Sequence, residues 1–227
     1  METFLLVLAA IVPVVNPPGS ALVFLGLTRM ASADTRRFLA TRVAINSFFV
    51  MAGSLLLGTF VLSLYGISVP VIRVAGGLII AASGWKLLNQ GSQKRDEAPD
   101  QGDNTDYRGM AFYPLTLPIT TGPGTIAVMI SLGFARTTYG SGMAELTYIA
   151  MTLLAALVIA VGVYVCFAYA DQAERILGHT GTDIAVRLSA FILFAIGVQI
   201  LWGGASELLS SVPLHITPPA VPPKPGG

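Results

Sequence analysis

Apolar residues run along this chain in stretches of membrane length. Six stand out, at residues 3–27, 40–64, 69–88, 110–134, 146–170 and 184–202. Each matches the roughly 20 mostly apolar residues that a helix needs to cross a hydrocarbon core. A transmembrane barrel would alternate polar and apolar positions, and a run such as Met151 to Ala168 does not. The pattern predicts an all-α fold, a polytopic membrane protein with six transmembrane helices. Residues 89–109 are polar, with Gly, Gln, Asp and a Pro, and predict a flexible cytoplasmic linker. The linker joins a first membrane unit at 1–88 to a second at 110–210, and the Pro- and Gly-rich residues 211–227 predict a disordered tail.

Composition agrees with the pattern. Of 227 residues, 54% are hydrophobic and 11% charged, and the mean hydropathy is +0.73. Soluble domains carry about 25% charge, so the excess apolar surface is expected to face lipid. A single cysteine, Cys166, rules out a disulfide framework. The opening Met1-Glu2-Thr3 lacks the basic start of a secretory signal, so the first stretch is expected to remain as a helix. Basic residues set the orientation. Ten of the thirteen flank alternate loops: Arg29, Arg36, Arg37, Arg42, Lys86, Lys94, Arg95, Arg108, Arg175 and Arg187. The other face has Arg73, Arg136 and Lys224. Basic loops stay cytoplasmic, so both termini are expected outside, in the periplasm of a Gram-negative host.

The chain also repeats itself. Pro13-Val14-Val15-Asn16-Pro17-Pro18-Gly19 in the first stretch matches Pro118-Ile119-Thr120-Thr121-Gly122-Pro123-Gly124 in the fourth. Arg73-Val74-Ala75-Gly76 in the third lines up with Arg187-Leu188-Ser189-Ala190 in the sixth. Two related units of three helices enter the membrane from opposite sides, which predicts inverted repeats with broken first and fourth helices.

Pro deletes a backbone donor and Gly relaxes the torsions, so each Pro-Gly cluster opens the helical ladder within the hydrocarbon. Freed polar groups facing lipid would cost several kcal/mol each. Both breaks must therefore face protein or a watery cavity. A half-helix restarting at Pro18 or Pro123 presents free N–H groups and a positive dipole end, which suit a carboxylate. Asn16 or Pro17, and Thr120 or Thr121, are the expected caps, with Ser20 and Thr125 offering hydroxyls just beyond. The expected substrate-binding set is Asn16, Pro18, Gly19, Ser20, Thr120, Thr121, Pro123, Gly124 and Thr125, for a small anionic or zwitterionic solute. The competing reading is two proline kinks with no ligand. Asn46 and Gln199 are expected to bond neighbouring helices, Arg73 and Arg187 to reach up to the headgroups, and the glycines at 76, 77, 203 and 204 to allow close packing.

No acidic residue lies deep in any stretch, which argues against a pump working through a buried carboxylate. His179 and His215 fall in predicted loops, and no H-E-x-x-H, G-x-S-x-G or Walker sequence is present. The expectation is a protein that is not an enzyme, with no metal, no cofactor and no nucleic-acid partner.

Several motifs in one order carry a family resemblance. They are Asn16-Pro17-Pro18-Gly19, Leu25-Gly26-Leu27-Thr28, Arg36-Arg37, Tyr65-Gly66-Ile67-Ser68, Ile72-Arg73-Val74-Ala75-Gly76-Gly77, Pro114-Leu115 through Pro118, and Thr121-Gly122-Pro123-Gly124. In these the chain resembles the MarC family of six-helix bacterial inner-membrane proteins, from about Phe4 to Trp202. It departs at Pro18, where the family more often has an aliphatic residue, and at Thr121, where it more often has Ala. The resemblance implies a multi-pass inner-membrane protein, and transport of small neutral amino acids such as glycine or alanine. A MarC member with an assembly or stress role and no transport, or a passive small-solute channel, are the other readings.

Overall fold

The computed structural model describes residues 2–89, 107, 109–136 and 142–211. Most of the expected linker, the tail from residue 212 onward, and the basic residues Lys94, Arg95, Arg108 and Lys224 lie outside the described residues. All regular structure among the described residues is helical. The first span comprises α1 (Glu2–Val15) and α2 (Pro17–Leu27), parted at Asn16. Next come α3 (Ala33–Leu64) and α4 (Val69–Asn89). A wide-turned segment, Phe112–Thr120, then leads into α5 (Pro123–Ala135), followed by α6 (Met143–Ala168) and α7 (Ala170–Ser210).

Five helical stretches are long and apolar enough to cross a membrane. A sixth span exists if Gly109–Thr120 and Pro123–Ala135 are counted as one, bent by 69° at the break. Two boundaries differ from the sequence expectation. The second span starts at Ala33, where the Ser32 side chain accepts from the Thr35 amide at 3.2 Å, so polar turns extend the helix beyond its apolar part. α7 breaks at Gly178, whose φ of 66° favours glycine, and its apolar part runs over Thr180–Ser210. Leu6, Phe49, Phe60, Leu78, Phe191 and Trp202 are exposed, as a lipid-facing surface requires.

The interior holds Ile11, Phe24, Leu39, Met51, Leu115 and Met129. Phe24 stacks on Phe167 with ring centroids 4.6 Å apart, fixing α2 against α6. α3 packs on α5 and α6, while α4 lies along α7. The α4–α7 seam is built from glycines. A Cβ on Gly77 would meet the backbone of Leu201 and Gly197, and one on Gly197 the backbone of Ala81. A Cβ on Gly84 would meet Phe194 and Ala190, and one on Gly204 would meet Val74 and Pro70. These contacts exchange between residues 120 positions apart. Glycines thus recur at one interval on the two helices, Gly77 and Gly197, Gly84 and Gly204, each at a point of backbone approach.

Because the Gly197 approach is to backbone, no rotamer change relieves it. Gly197→Ala is expected to lower stability by about 1–3 kcal/mol, as overpacking does. Gly162→Ala, where a Cβ meets nothing within 4 Å, is expected to be neutral or slightly stabilising. Thermal unfolding of both variants in detergent checks the contrast.

Candidate functional site

At the first break Asn16 adopts φ 47°, ψ 61°, a left-handed conformation that Asn tolerates better than most residues. Its amide still donates to the Val12 carbonyl at 2.9 Å, so α1 closes its ladder up to the break. Pro17 and Pro18 follow at the first helical positions, where a missing N–H costs nothing. The Gly19 amide donates to Asn16 Oδ1 at 3.3 Å, and the Ser20 amide to the Asn16 carbonyl at 2.9 Å. All first-turn donors of α2 are thereby absent or used.

The second break is built differently. Tyr113 and Leu117, each preceding a proline, are extended, with ψ of 124°. The carbonyls left over are taken by hydroxyls. Thr116 Oγ1 donates to the Ala111 carbonyl and Thr120 Oγ1 to that of Leu115, both at 2.7 Å. The Thr121 amide donates to the Thr116 carbonyl at 2.9 Å, and its hydroxyl lies 3.3 Å from Ser47 Oγ on α3. The cap of α5 is Gly122 rather than Thr120 or Thr121, and no side chain caps that helix. Pro123 has no N–H and the Ile126 amide bonds the Gly122 carbonyl at 3.1 Å. The helical ladder therefore leaves the amides of Gly124 and Thr125 without a carbonyl. A Cβ on Gly124 would collide with the Ile80 side chain; the glycine seats α5 against α4.

The two breaks meet. Ser20 Oγ lies 3.1 Å from the Val15 carbonyl and 3.3 Å from the Ile119 carbonyl of the other break. Between them is a cavity of about 460 Å³, within the usual range for small-molecule sites. Of the expected set, Asn16, Gly19, Ser20, Thr120, Pro123, Gly124 and Thr125 line it. Pro18 does not; it is exposed on the outer side of α2. Thr121 does not either, being buried against Ser47 and Thr116 as a structural link.

Sequence reasoning missed one wall. Ile79, Ile80, Ser83, Lys86 and Leu87 of α4 line the cavity, joined by Leu193 of α7. Lys86 is the one charged residue in the lining, and no acidic residue faces it there. Its place as the basic residue in the last turn of a largely apolar helix was the available signal. Asn46 and Gln199 are not in the lining. No group of three or more metal-ligating residues occurs among the described residues. The cavity is thus a mostly apolar chamber with two free amides, the hydroxyls of Ser20, Ser83, Thr120 and Thr125, and one ammonium, suited to a small anion or carboxylate.

A family model described as MarC family integral membrane protein matches residues 1–209. A UPF0056 membrane protein of Archaeoglobus fulgidus is 30% identical over 201 residues, covering 88% of this chain and 91% of its own. The UPF0056 inner membrane protein MarC of Salmonella typhimurium is 29% identical over 210 residues, covering 90% and 94%. The protein of that name from Escherichia coli O1:K1 / APEC is likewise 29% identical over 210 residues. No solved structure matches the chain. The chain belongs to the MarC family of integral membrane proteins.

The unequal caps give a test. Asn16→Ala removes both the side-chain cap and the tolerance of left-handed backbone, and is expected to cost about 1–2 kcal/mol. Asn16→Gly keeps the torsions and is expected to cost only a few tenths. Unfolding of the two variants in detergent separates them.

Proposed function

We propose that this MarC family chain is a secondary transporter of small neutral amino acids, such as glycine or alanine, or of similar small carboxylate-bearing solutes. The observation that carries the reading is the convergence of both broken spans on one cavity with free helix N-terminal amides. The solute's carboxylate accepts from the amides of Gly124 and Thr125, with the Ser20 and Thr125 hydroxyls beside them. Lys86 attracts the anionic end toward the chamber. The role asked of these residues is binding and orientation, not bond-breaking, so the chain acts as a carrier rather than an enzyme.

The relatives named as inner membrane proteins support placement in the bacterial inner membrane, with the lipid bilayer around the exposed apolar faces. Arg29, Arg36, Arg37, Arg42, Lys86, Arg175 and Arg187 favour periplasmic termini by the basic-loop rule. In that orientation the chamber lies on the cytoplasmic side, toward the Lys86 end of α4. The recurrence of contact glycines at one interval, Gly77 and Gly197, Gly84 and Gly204, supports two inverted three-helix repeats. The lining includes no residue of α1 before Val14 and none of α5 beyond Thr125. A chamber reached from one side favours a carrier over a passive channel.

Purified protein in liposomes is expected to take up labelled alanine and glycine saturably, and to accumulate them when driven by a sodium or proton gradient. Lys86→Gln is expected to raise KM for alanine roughly 2- to 5-fold, the worth of an exposed charge, with unchanged unfolding temperature. Flux that only equilibrates would favour a channel. No flux from folded, inserted protein would remove the transport reading for these solutes.

A further inference from the structure

A second hollow lies away from the broken spans' chamber, where α2, α3, α6 and α7 come together. It has a volume of about 190 Å³, and Arg36, Arg37, Phe167, Asp171, Gln172 and Arg175 are among its lining. Three guanidiniums there meet one carboxylate. Asp171 Oδ1 accepts from Arg36 Nη1 at 2.6 Å, which uses one of the five donors of that guanidinium. Among the described residues no carboxylate pairs with Arg37 or Arg175. Asp34 and Glu174 stand in nearby turns of α3 and α7 but not in the lining, and Glu174 faces Arg29 instead, at 3.9 Å. The lining thus keeps a surplus of two positive charges.

The hollow continues into an apolar groove. α3 and α6 enclose about 450 Å³, lined by Ala44, Ile45 and Phe48 on one side and Leu157, Val161 and Tyr164 on the other. Thr41 also lines the groove, and its hydroxyl donates to the carbonyl of Arg37 in the hollow at 3.0 Å. On α6, Tyr164 of the groove comes one turn before Ala168 of the hollow. The polar hollow and the apolar groove therefore succeed one another along the same faces of both helices. Arg36 and Arg37 belong to the first turns of α3, and Ala168 ends α6, so the hollow sits at the boundary of the spans. From Thr41 to Phe49 the groove reaches about 12 Å further in, most of one leaflet of a hydrocarbon core roughly 30 Å thick. A cationic seat at headgroup level above an apolar trough matches the two-part chemistry of a phospholipid. The surplus charge then selects among lipids, because a zwitterionic headgroup brings its own cation and an anionic one does not.

We propose that this face binds an anionic phospholipid. Its phosphate is held by Arg37, Arg175 and the remaining donors of Arg36, and one acyl chain lies in the groove between α3 and α6. Guanidinium forks fit phosphate oxygens, and basic pockets between spans take anionic headgroups. No residue lines both this site and the chamber of the broken spans. The site stands whether or not the chain is a carrier.

The test mixes the full chain in detergent with phosphatidylglycerol or phosphatidylcholine of matched acyl chains, and reads retained lipid by native mass spectrometry. Phosphatidylglycerol is expected to stay bound and phosphatidylcholine to be lost. Arg175→Gln is expected to weaken retention about fivefold, and Arg37→Gln with Arg175→Gln about 25-fold. Arg187→Gln removes the same charge outside the lining and is expected to change nothing. Val161→Trp, at a groove side chain 54% exposed, blocks the acyl seat and is expected to weaken retention several-fold. All these positions are exposed, and unchanged unfolding temperatures without added lipid verify that the variants fold. Equal retention of the two lipids, indifference to the arginine pair, or an equal loss in Arg187→Gln would overturn the site. Indifference to Val161→Trp, or displacement of the lipid by inorganic phosphate at equal concentration, would make the hollow a seat for a soluble phosphate and overturn the lipid.

Discussion

Backbone polar groups freed inside hydrocarbon must find partners, and the rest of the structure is arranged around that requirement. Two helices are opened by proline and glycine near the middle of the bundle. The first is repaired almost wholly by Asn16, whose amide, carbonyl and side chain each close one bond. The second is repaired by the hydroxyls of Thr116 and Thr120 and the amide of Thr121. What remains unpaired in the helical ladder is concentrated at the start of α5. Ser20, reaching the Ile119 carbonyl, brings that remainder against the first break. The chamber follows from this incomplete repair: a fully capped second break would leave a kink and no binding chemistry.

Holding two broken helices together requires a frame that does not depend on them. The α4–α7 seam supplies it, with Gly77, Gly84, Gly197 and Gly204 admitting backbone at van der Waals range. In a bilayer such approach is a main source of helix association, since lipid gives apolar side chains no reason to prefer one another. The same seam carries Lys86 into the chamber and joins Arg73 to Glu207 near its other end. One helix pair thus positions both the charge in the chamber lining and the ion pair remote from it.

The spans and both breaks were legible because they depend on local chemistry: long apolar runs, and Pro-Gly clusters that no helix accommodates. Seven of nine expected site residues line one chamber for the same reason. Pro18 was misplaced because a first-turn proline fits the helix start without facing the ligand side. Thr121 was misplaced because its partner, Ser47, lies 74 positions away, a pairing that no local pattern encodes. The α4 wall escaped notice because α4 is apolar nearly all round, so its sequence does not say which face meets the breaks.

Under the proposed function the paired breaks hold a carboxylate. Calorimetric titration of the purified protein in detergent with alanine, propionate and ethylamine tests it most directly. Binding of the two carboxylates, weakened by Lys86→Gln, and none of the amine is the expected result. Ethylamine binding as well as alanine, or carboxylate binding indifferent to Lys86, would contradict it.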